Sequence, residues 1–279
     1  MKRNSKKLVS LIAVLCVFLV GGTIAYFSDQ ESAKNTFAMG KFDTVLNEEF
    51  DPPSDWKPGT EIDKKVKVDN TGTVDMVVTA RFDESCIRRE DVYLKKYNEE
   101  TKQLEDILAA KAGEELPVIF DVVKEGETIT SYKEVGIKKF GTEVVKYTPG
   151  TDPADYEGKW VYSYNPQTCV YQFIYMGIVK PGDSTPYLLQ SVTMNPALNS
   201  TVSKTSQTAY YDKEKGESVK TFAFETSEKG YDNASYHLNI TAKSLQASAK
   251  AIQSDWAAGT EMIPTEFQEL LTHLASMCQ

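Results

Sequence analysis

The residues of this chain that could do chemistry are two histidines and a few paired acids. His237 and His273 do not form a His-Glu-x-x-His pattern, so a zinc hydrolase site would have to be built mainly from carboxylates. Neither histidine has a nucleophilic Ser or Cys motif nearby, and the chain has no Gly-x-Ser-x-Gly motif and no glycine-rich phosphate loop. We therefore predict no catalytic residue, no metal site and no cofactor.

Three pairs of adjacent acids could in principle serve as glycosidase carboxylates or calcium ligands: Glu48-Glu49, Glu99-Glu100 and Glu114-Glu115. None of these pairs lies in a calcium-loop pattern. Adjacent acids on an acidic chain are typical of a solvated surface, and we expect that role here.

The cysteines are too few to form a disulfide framework. Cys16 lies in an apolar N-terminal segment, and Cys86, Cys169 and Cys278 remain as an odd set without Cys-x-x-Cys spacing. They allow at most one disulfide and a free thiol, and they are too dispersed for a structural zinc site. The fold must therefore be held together by its core.

The composition is typical of a globular chain, and the N-terminal residues predict an export signal. Of the 279 residues, 41% are hydrophobic, 25% are charged and 15 are tyrosines, which excludes collagen-like, broadly disordered and polytopic membrane proteins. Residues 1–25 combine a basic start, an apolar run and small residues before a cut after Ala25. We predict a signal peptide at 1–25 and a mature chain that starts at Tyr26 and has no membrane contact. The alternative is an uncleaved transmembrane anchor.

The charge of the remaining chain argues against nucleic acid as a partner. Residues 1–25 hold four of the 31 basic residues and no acidic ones, so the remainder carries 27 basic against 40 acidic residues. Such a surface repels polyanions.

Period-two patterns dominate beyond the signal and predict β-structure. Apolar alternation at 62–68 and 74–82, separated by Asn70-Thr71-Gly72-Thr73, predicts a β-hairpin with one buried face. Further predicted strands are 116–123, 128–138, 159–164, 169–179, 187–194 and 236–242. Because residues 170–179 are apolar on both faces, we place them centrally in a two-layer core. The fold predicted is all-β, a jelly-roll-like β-sandwich.

Helices are predicted only at the periphery. Thr265 and Gln268 form a capping-box pattern before a C-terminal helix, whose apolar stripe is Phe267, Leu270, Leu271, Leu274 and Met277. Weaker helical patterns cover 244–257 and 101–111, and polar segments at 147–157 and 197–217 predict long surface loops. The predicted organisation is an extended segment at 26–48 and a single sandwich domain at 49–279.

The residues around the proposed cut resemble a known family of exported proteins. The run Gly22-Thr23-Ile24-Ala25-Tyr26-Phe27-Ser28-Asp29, followed by Asn35-Thr36-Phe37 and Gly40, is similar to the signature of the TasA, camelysin and BsaA group of Gram-positive proteins. Residues 56–59, 68–73, 80–81 and 236–247 also resemble this group, most closely its clostridial BsaA-like biofilm matrix proteins.

The resemblance implies a jelly-roll-like subunit that is cut by a dedicated signal peptidase and polymerises head to tail into pilus-like extracellular fibres of a biofilm matrix. It brings no catalytic residues, although camelysin-type relatives have been classed as metalloproteases. An extended N-terminal segment could donate a strand to a neighbour's sheet edge, with Phe37, Met39, Phe42 and Leu46 as anchors. The alternative is that 37–46 forms the first strand of its own sandwich.

Two further possibilities remain open from the sequence. A monomeric secreted module that binds carbohydrate or a cell surface is the rival function, since tyrosine-rich sandwiches often bind sugars through exposed rings. Covalent linkage is possible as well, because a buried Lys beside an Asn or Asp and a protonated acid can form an amide. The sequence does not identify such a set of residues.

Overall fold

The computed structural model describes residues 43–50, 56–98, 100–198, 204–225, 230–231 and 233–278. Sheet A has the strand order β1 (Thr44–Phe50), β2 (Glu61–Asn70), β13 (Leu189–Met194) and β9 (Gly136–Phe140). Sheet B has the order β10 (Val144–Lys146), β11 (Trp160–Asn165), β12 (Val170–Tyr175), β3 (Met76–Arg88) and β16 (Ala234–Gln246), and β6 (Glu115–Leu116) pairs with the end of β3. All of these pairs are antiparallel except β10 with β11.

Three further hairpins extend the fold: β4 (Val92–Asn98) with β5 (Gln103–Ala110), β7 (Ile119–Glu125) with β8 (Thr128–Glu134), and β14 (Lys204–Asp212) with β15 (Glu217–Glu225). The helices are α1 (Ala249–Asp255) and α2 (Gln268–Met277), with 3-10 turns at Pro153–Tyr156 and Thr265–Phe267.

The main core lies between sheets A and B. Sheet A contributes Leu46, Val66 and Val68, and sheet B contributes a row along β3 that includes Met76 and Phe82. Aromatic side chains fill much of the space, with the Phe82 and Phe173 ring centroids 4.7 Å apart. The predicted all-β sandwich is confirmed by this arrangement.

A second core lies on the other face of sheet B, where the C-terminal helices cover it. Ile174 on β12 and Val161 on β11 pack there against Phe267 and Leu270. On the same strand β12, Phe173 enters the main core. The strand is therefore buried on both faces and lies between β11 and β3, as its sequence predicts.

The hairpin predicted from residues 62 to 82 is wrong, because its two strands belong to different sheets. β2 pairs with β1 and β13 in sheet A, whereas β3 pairs with β12, β16 and β6 in sheet B. The Asn70 side chain holds the crossing by donating to the carbonyl oxygens of Val74 and Val179, each at 2.8 Å. Alternation correctly indicates one buried face per strand, but it does not distinguish a neighbour in the same sheet from one across the core.

The helix predictions are only partly confirmed. The C-terminal helix forms with its predicted face buried, but Thr265 makes no capping bond and Pro264 occupies the N-cap position. Residues 103–110 form β5 instead of a helix, and 204–212 form β14 inside a predicted loop. The predicted helix at 244–257 begins as the end of β16 and becomes helical only after Ser248, whose Oγ accepts from the Ala251 N–H.

Candidate functional site

The outer edge of β16 is the longest sheet edge in the described part of the chain. β16 has 13 residues, whereas the other edge strands of sheets A and B, β1, β9 and β10, have seven, five and three, and the hairpin strands β14 and β15 have nine each. Its register with β3 runs without a bulge from Ala234↔Arg88 to Gln246↔Met76. No other described strand pairs with its outer side. Natural edges are usually protected by proline, bulges or several charges, and this one contains only Lys243.

The N-terminal strand begins beside this edge. β1 is the edge of sheet A, yet its first residue, Thr44, makes a 2.7 Å hydroxyl–hydroxyl hydrogen bond with Ser244 near the end of β16. The Thr44 hydroxyl also contacts the Met76 sulfur on β3 at 3.3 Å. The chain that precedes Thr44 therefore enters the described structure at the place where sheet A meets the open edge of sheet B.

The core is incompletely covered along β16. Tyr236, Leu238 and Ala242 point toward the main core but are only partly buried, whereas Ile240 between them is 3% exposed. A strand added outside β16 would place its own apolar side chains beside this row, because neighbouring strands present their side chains in register. Within the described residues, the edge thus offers both backbone groups that no strand pairs with and apolar contact.

A buried charged cluster lies between the sheets beside the inner face of β16. Lys138 on β9 contacts Glu84 on β3 at 2.5 Å and also contacts Glu134 at the end of β8. The side chains of Glu84 and Lys138 are 0% and 1% exposed. Tyr236 donates to Glu84 at 2.6 Å, and Tyr171 donates to Glu134 at 2.9 Å.

The electrostatics of this cluster follow from its burial. Burial raises the pKa of the Glu84 carboxyl, and the Lys138 ammonium and the Tyr236 hydroxyl offset only part of that effect. Burial also raises the pKa of the Tyr171 hydroxyl, and the Glu134 carboxylate raises it further. Burial and the Glu84 carboxylate likewise raise the pKa of the Tyr236 hydroxyl, so both tyrosines act as hydrogen-bond donors over the ordinary pH range.

Only Leu46 of the predicted donor residues lies within the described residues. It is 5% exposed, and it pairs with Val68 in the core of its own chain. β1 thus crosses the boundary predicted at residue 48, and residues 44–48 lie in the sandwich. The remaining predicted residues lie outside the described part: the cleavage residues Ala25 and Tyr26, and the anchors Phe37, Met39 and Phe42.

The two histidines lie on different elements of the fold. His237 is exposed on β16, opposite the face that carries Tyr236, as its strand pattern predicts. His273 on α2 is 2.9 Å from Glu157. Among the described residues, no group of three or more His, Cys, Asp or Glu side chains is placed to hold a metal ion.

The cysteines form no disulfide in the described structure. Cys86 and Cys278 are buried free thiols, and Cys169 is a partly buried one. None of the described helices is long and apolar enough to cross a membrane.

Sequence reasoning did not identify the β16 edge or the buried cluster. One signal for the cluster was present, because the inward row Met76, Val78, Ala80 and Phe82 continues at period two to Glu84. An acid at the next position of a buried row indicates a buried partner. The partner itself, Lys138, comes from another sheet and carries no comparable signal.

Comparison with known proteins finds one family model that is similar to the N-terminal part of the chain. Residues 5–84 match the family model described as camelysin metallo-endopeptidase. The match runs from inside the predicted signal peptide to Glu84 on β3, and it covers less than half of the chain. No curated protein matches the chain. A closer relation to the BsaA-like members stays a prediction. The match therefore supports, over residues 5–84, the resemblance of the sequence to the TasA/camelysin group.

Proposed function

We propose that this protein is an exported structural subunit that polymerises head to tail into extracellular matrix fibres. In this proposal residues 26–42 of one copy add a strand to the open edge of β16 in the next. The observation that carries it is the position of Thr44, hydrogen-bonded to Ser244 at the end of this edge. The start of β1 and the proposed acceptor edge therefore lie on the same side of the sandwich.

The lengths of the two elements are compatible. Residues 26–42 span about 56 Å when extended at about 3.3 Å per residue, and β16 spans about 43 Å on the same scale. The segment can therefore pair along the whole edge and still leave a few residues to join the two copies.

The side chains of the segment suit the acceptor edge. Phe37 and Met39 are two residues apart, so an extended backbone directs both to the same face. On the acceptor, Leu238 and Ala242 belong to the partly buried row along β16. Main-chain hydrogen bonds would supply affinity, and these apolar contacts would set the register. Phe42 would anchor the segment close to β1.

Leu46 is left out of the donor strand in this proposal. As a donor it would have to leave its own sheet, where it is 5% exposed and faces Val68. We therefore assign β1 to its own sandwich and confine donation to the residues before it. The donor segment and β16 are different surfaces, so the contact is heterologous, and it builds a filament unless its rotation closes a ring.

Export is the second part of the proposal. The family match starts inside the basic, apolar segment that we interpret as a signal peptide. A dedicated signal peptidase would cut after Ala25 and free Tyr26 as the first residue of the donor segment. Ala25→Asp should leave the precursor uncut, because the peptidase pocket accepts small neutral side chains. A mature chain with another first residue, read by terminal sequencing or mass, would contradict this assignment.

We infer a structural role although the matching family model is described as an endopeptidase. What supports this choice is the edge geometry, which suits strand addition and needs no reacting group. A proteolytic activity that copurifies with the chain and disappears on chelation would favour the enzymatic alternative.

The direct test is electron microscopy with size-exclusion chromatography of two chains, one that begins at Tyr26 and one that begins at Asp43. The longer chain should form fibres, and the shorter one should be a folded monomer. Phe37→Asp in the longer chain should prevent fibres, since an unpaired charge would enter an apolar contact. Ser32→Asp is the matched control and should polymerise, because it adds the same charge away from the anchors.

A strictly monomeric longer chain at high concentration would contradict the proposal. It would favour the rival role of a monomeric binding module, for which the exposed rings of Tyr93, Tyr187 and Tyr211 are examples of available contacts. These three rings lie on β4, in the loop before β13 and on β14.

A further inference from the structure

The buried cluster of Lys138, Glu84 and Glu134 has no role in strand donation, and it brings an amine into contact with two carboxyl groups. The Lys138 Nζ lies 2.5 Å from Glu84 Oε1 and also contacts Glu134 Oε2. The side chains of Lys138, Glu84 and Glu134 are 1%, 0% and 13% exposed. An amine is thus held against a carboxyl group, with a second carboxyl beside it, and water is largely excluded.

Two tyrosines fix the orientation of the three groups. Tyr236 donates to Glu84 Oε2 at 2.6 Å, which leaves Oε1 facing the amine. Tyr171 donates to Glu134 Oε1 at 2.9 Å, and the Lys138 Nζ lies 4.8 Å from the centre of the Tyr171 ring. Each group is therefore held in one position, which is what an intramolecular reaction between side chains requires.

Burial also favours the reactive form of the acceptor. It raises the pKa of the Glu84 carboxyl, so the neutral acid becomes more accessible there than on the surface. An amine attacks a neutral carboxylic acid much more readily than a carboxylate, because the carboxylate carries a full negative charge. Glu134 is more exposed and is oriented by Tyr171, which suits it to carry protons.

We propose that Lys138 and Glu84 condense into an amide bond that joins sheet A to sheet B within one subunit. Glu134 takes a proton from the Lys138 ammonium, and the freed nitrogen lone pair attacks Glu84 Cδ. Tyr236 donates to Oε2, where negative charge develops.

The attack gives a tetrahedral intermediate at Glu84 Cδ, and its collapse completes the reaction. Glu134 returns its proton to Oε1, the Cδ–Oε1 bond breaks and one water molecule leaves. The nitrogen gives up a second proton to Glu134, which ends neutral. No oxidant or reductant takes part, because the carbon keeps its oxidation state.

The product would connect strands that the chain links only by a long path. Lys138 and Glu84 are 54 residues apart in sequence, on β9 and β3. The amide would link the two sheets covalently, which no disulfide does among the described residues. Like a disulfide, such a link restricts the unfolded chain. The acceptor expected from the sequence is an Asn or Asp, whereas the structure places Glu84 beside Lys138.

The test is the intact mass of the folded, purified chain, measured after denaturation. We expect a mass lower than that of the sequence by one water molecule, and a branched peptide that joins Lys138 to Glu84 after proteolysis. Lys138→Arg keeps the buried positive charge but lacks the amine, and its mass should equal that of its sequence. Glu134→Gln keeps the shape but cannot carry the proton, and it should also have the full mass.

Several results would overturn the proposal. A wild-type chain with native circular dichroism and the full sequence mass, even after prolonged incubation, would show an ion pair only. A branch at Glu134 would overturn the choice of acceptor, and a mass deficit that persists in Glu134→Gln would overturn its role as proton carrier. The wild-type measurement needs no variant to fold, and none of these outcomes depends on whether the protein polymerises.

Discussion

The position of Leu46 allows a direct test of where the sandwich ends and the donor segment begins. Leu46 lies on β1, is 5% exposed and packs in the core between the sheets. Replacing such a leucine by alanine removes its apolar contacts and leaves a cavity, which typically costs about 2 to 5 kcal/mol. Because β1 is an edge strand that can partly collapse onto the gap, we expect about 2 to 3 kcal/mol for Leu46→Ala.

The matched control is the neighbouring residue on the same strand. Val45 is 39% exposed on the opposite face, so Val45→Ala should change the free energy of unfolding by less than about 0.5 kcal/mol. Urea unfolding of monomeric protein measures both, and Leu46→Ala should lower the midpoint without changing the slope. Equal monomer stability of the two variants, with fibre formation lost only in Leu46→Ala, would refute the assignment of β1 to its own core.

Three further predictions concern the fold around the site. Gly136→Ala would place a Cβ 2.5 Å from the Tyr236 hydroxyl, which is hydrogen-bonded to Glu84. We expect this clash to lower the free energy of unfolding, measured with a denaturant, by about 1 to 3 kcal/mol. Ile137→Ala is the control and should be nearly neutral, because the neighbouring Ile137 is 44% exposed. Burial raises the pKa of Asp69, but hydrogen bonds from Ser184, Asn47 and Lys67 outweigh it and lower the pKa overall. Ser184→Ala should therefore lower the free energy of unfolding at neutral pH. The difference in unfolding free energy between this variant and wild type should shrink in acid, as pH falls through the folded pKa of Asp69. A difference that does not depend on pH would contradict this prediction. Burial raises the pKa of the Cys86 thiol to about 11, so alkylation at mildly alkaline pH should modify Cys86 only after unfolding, and labelling of the native chain would contradict its burial.

Many of the strands in the two sandwich sheets could be predicted from local patterns, but their pairing could not, and β4, β5, β14 and β15 were not predicted as strands. The alternation in β2 and β3 correctly gives two half-buried strands, yet pairing depends on partners such as β13 and β16 that lie more than 100 residues away along the chain. The two-faced apolar pattern of β12 was more informative, because only a strand between two cores has it. The helix predicted at 101–111 failed because Leu104, Ile107 and Leu108 also fit a strand, and pairing with β4 decides between the two.

The candidate site was predictable only on its donor side. The motif that resembles the family and the proposed anchors Phe37 and Met39 are local in sequence, so they can be proposed without a structure. The acceptor edge exists only because β16 lies last in sheet B, which is a property of the topology. The same holds for the buried cluster, since Glu84 and Lys138 come from different sheets.

The measurement that tests the central claim most directly is amide hydrogen exchange along β16, from Ala234 to Gln246, in fibres and in the monomer that begins at Asp43. In a strand at a sheet edge, every second amide points away from its only partner and exchanges with solvent. The account predicts that these outward amides are unprotected in the monomer and become protected in fibres, while the amides bonded to β3 stay protected in both. Fibres in which the outward amides of β16 exchange as fast as in the monomer would contradict it.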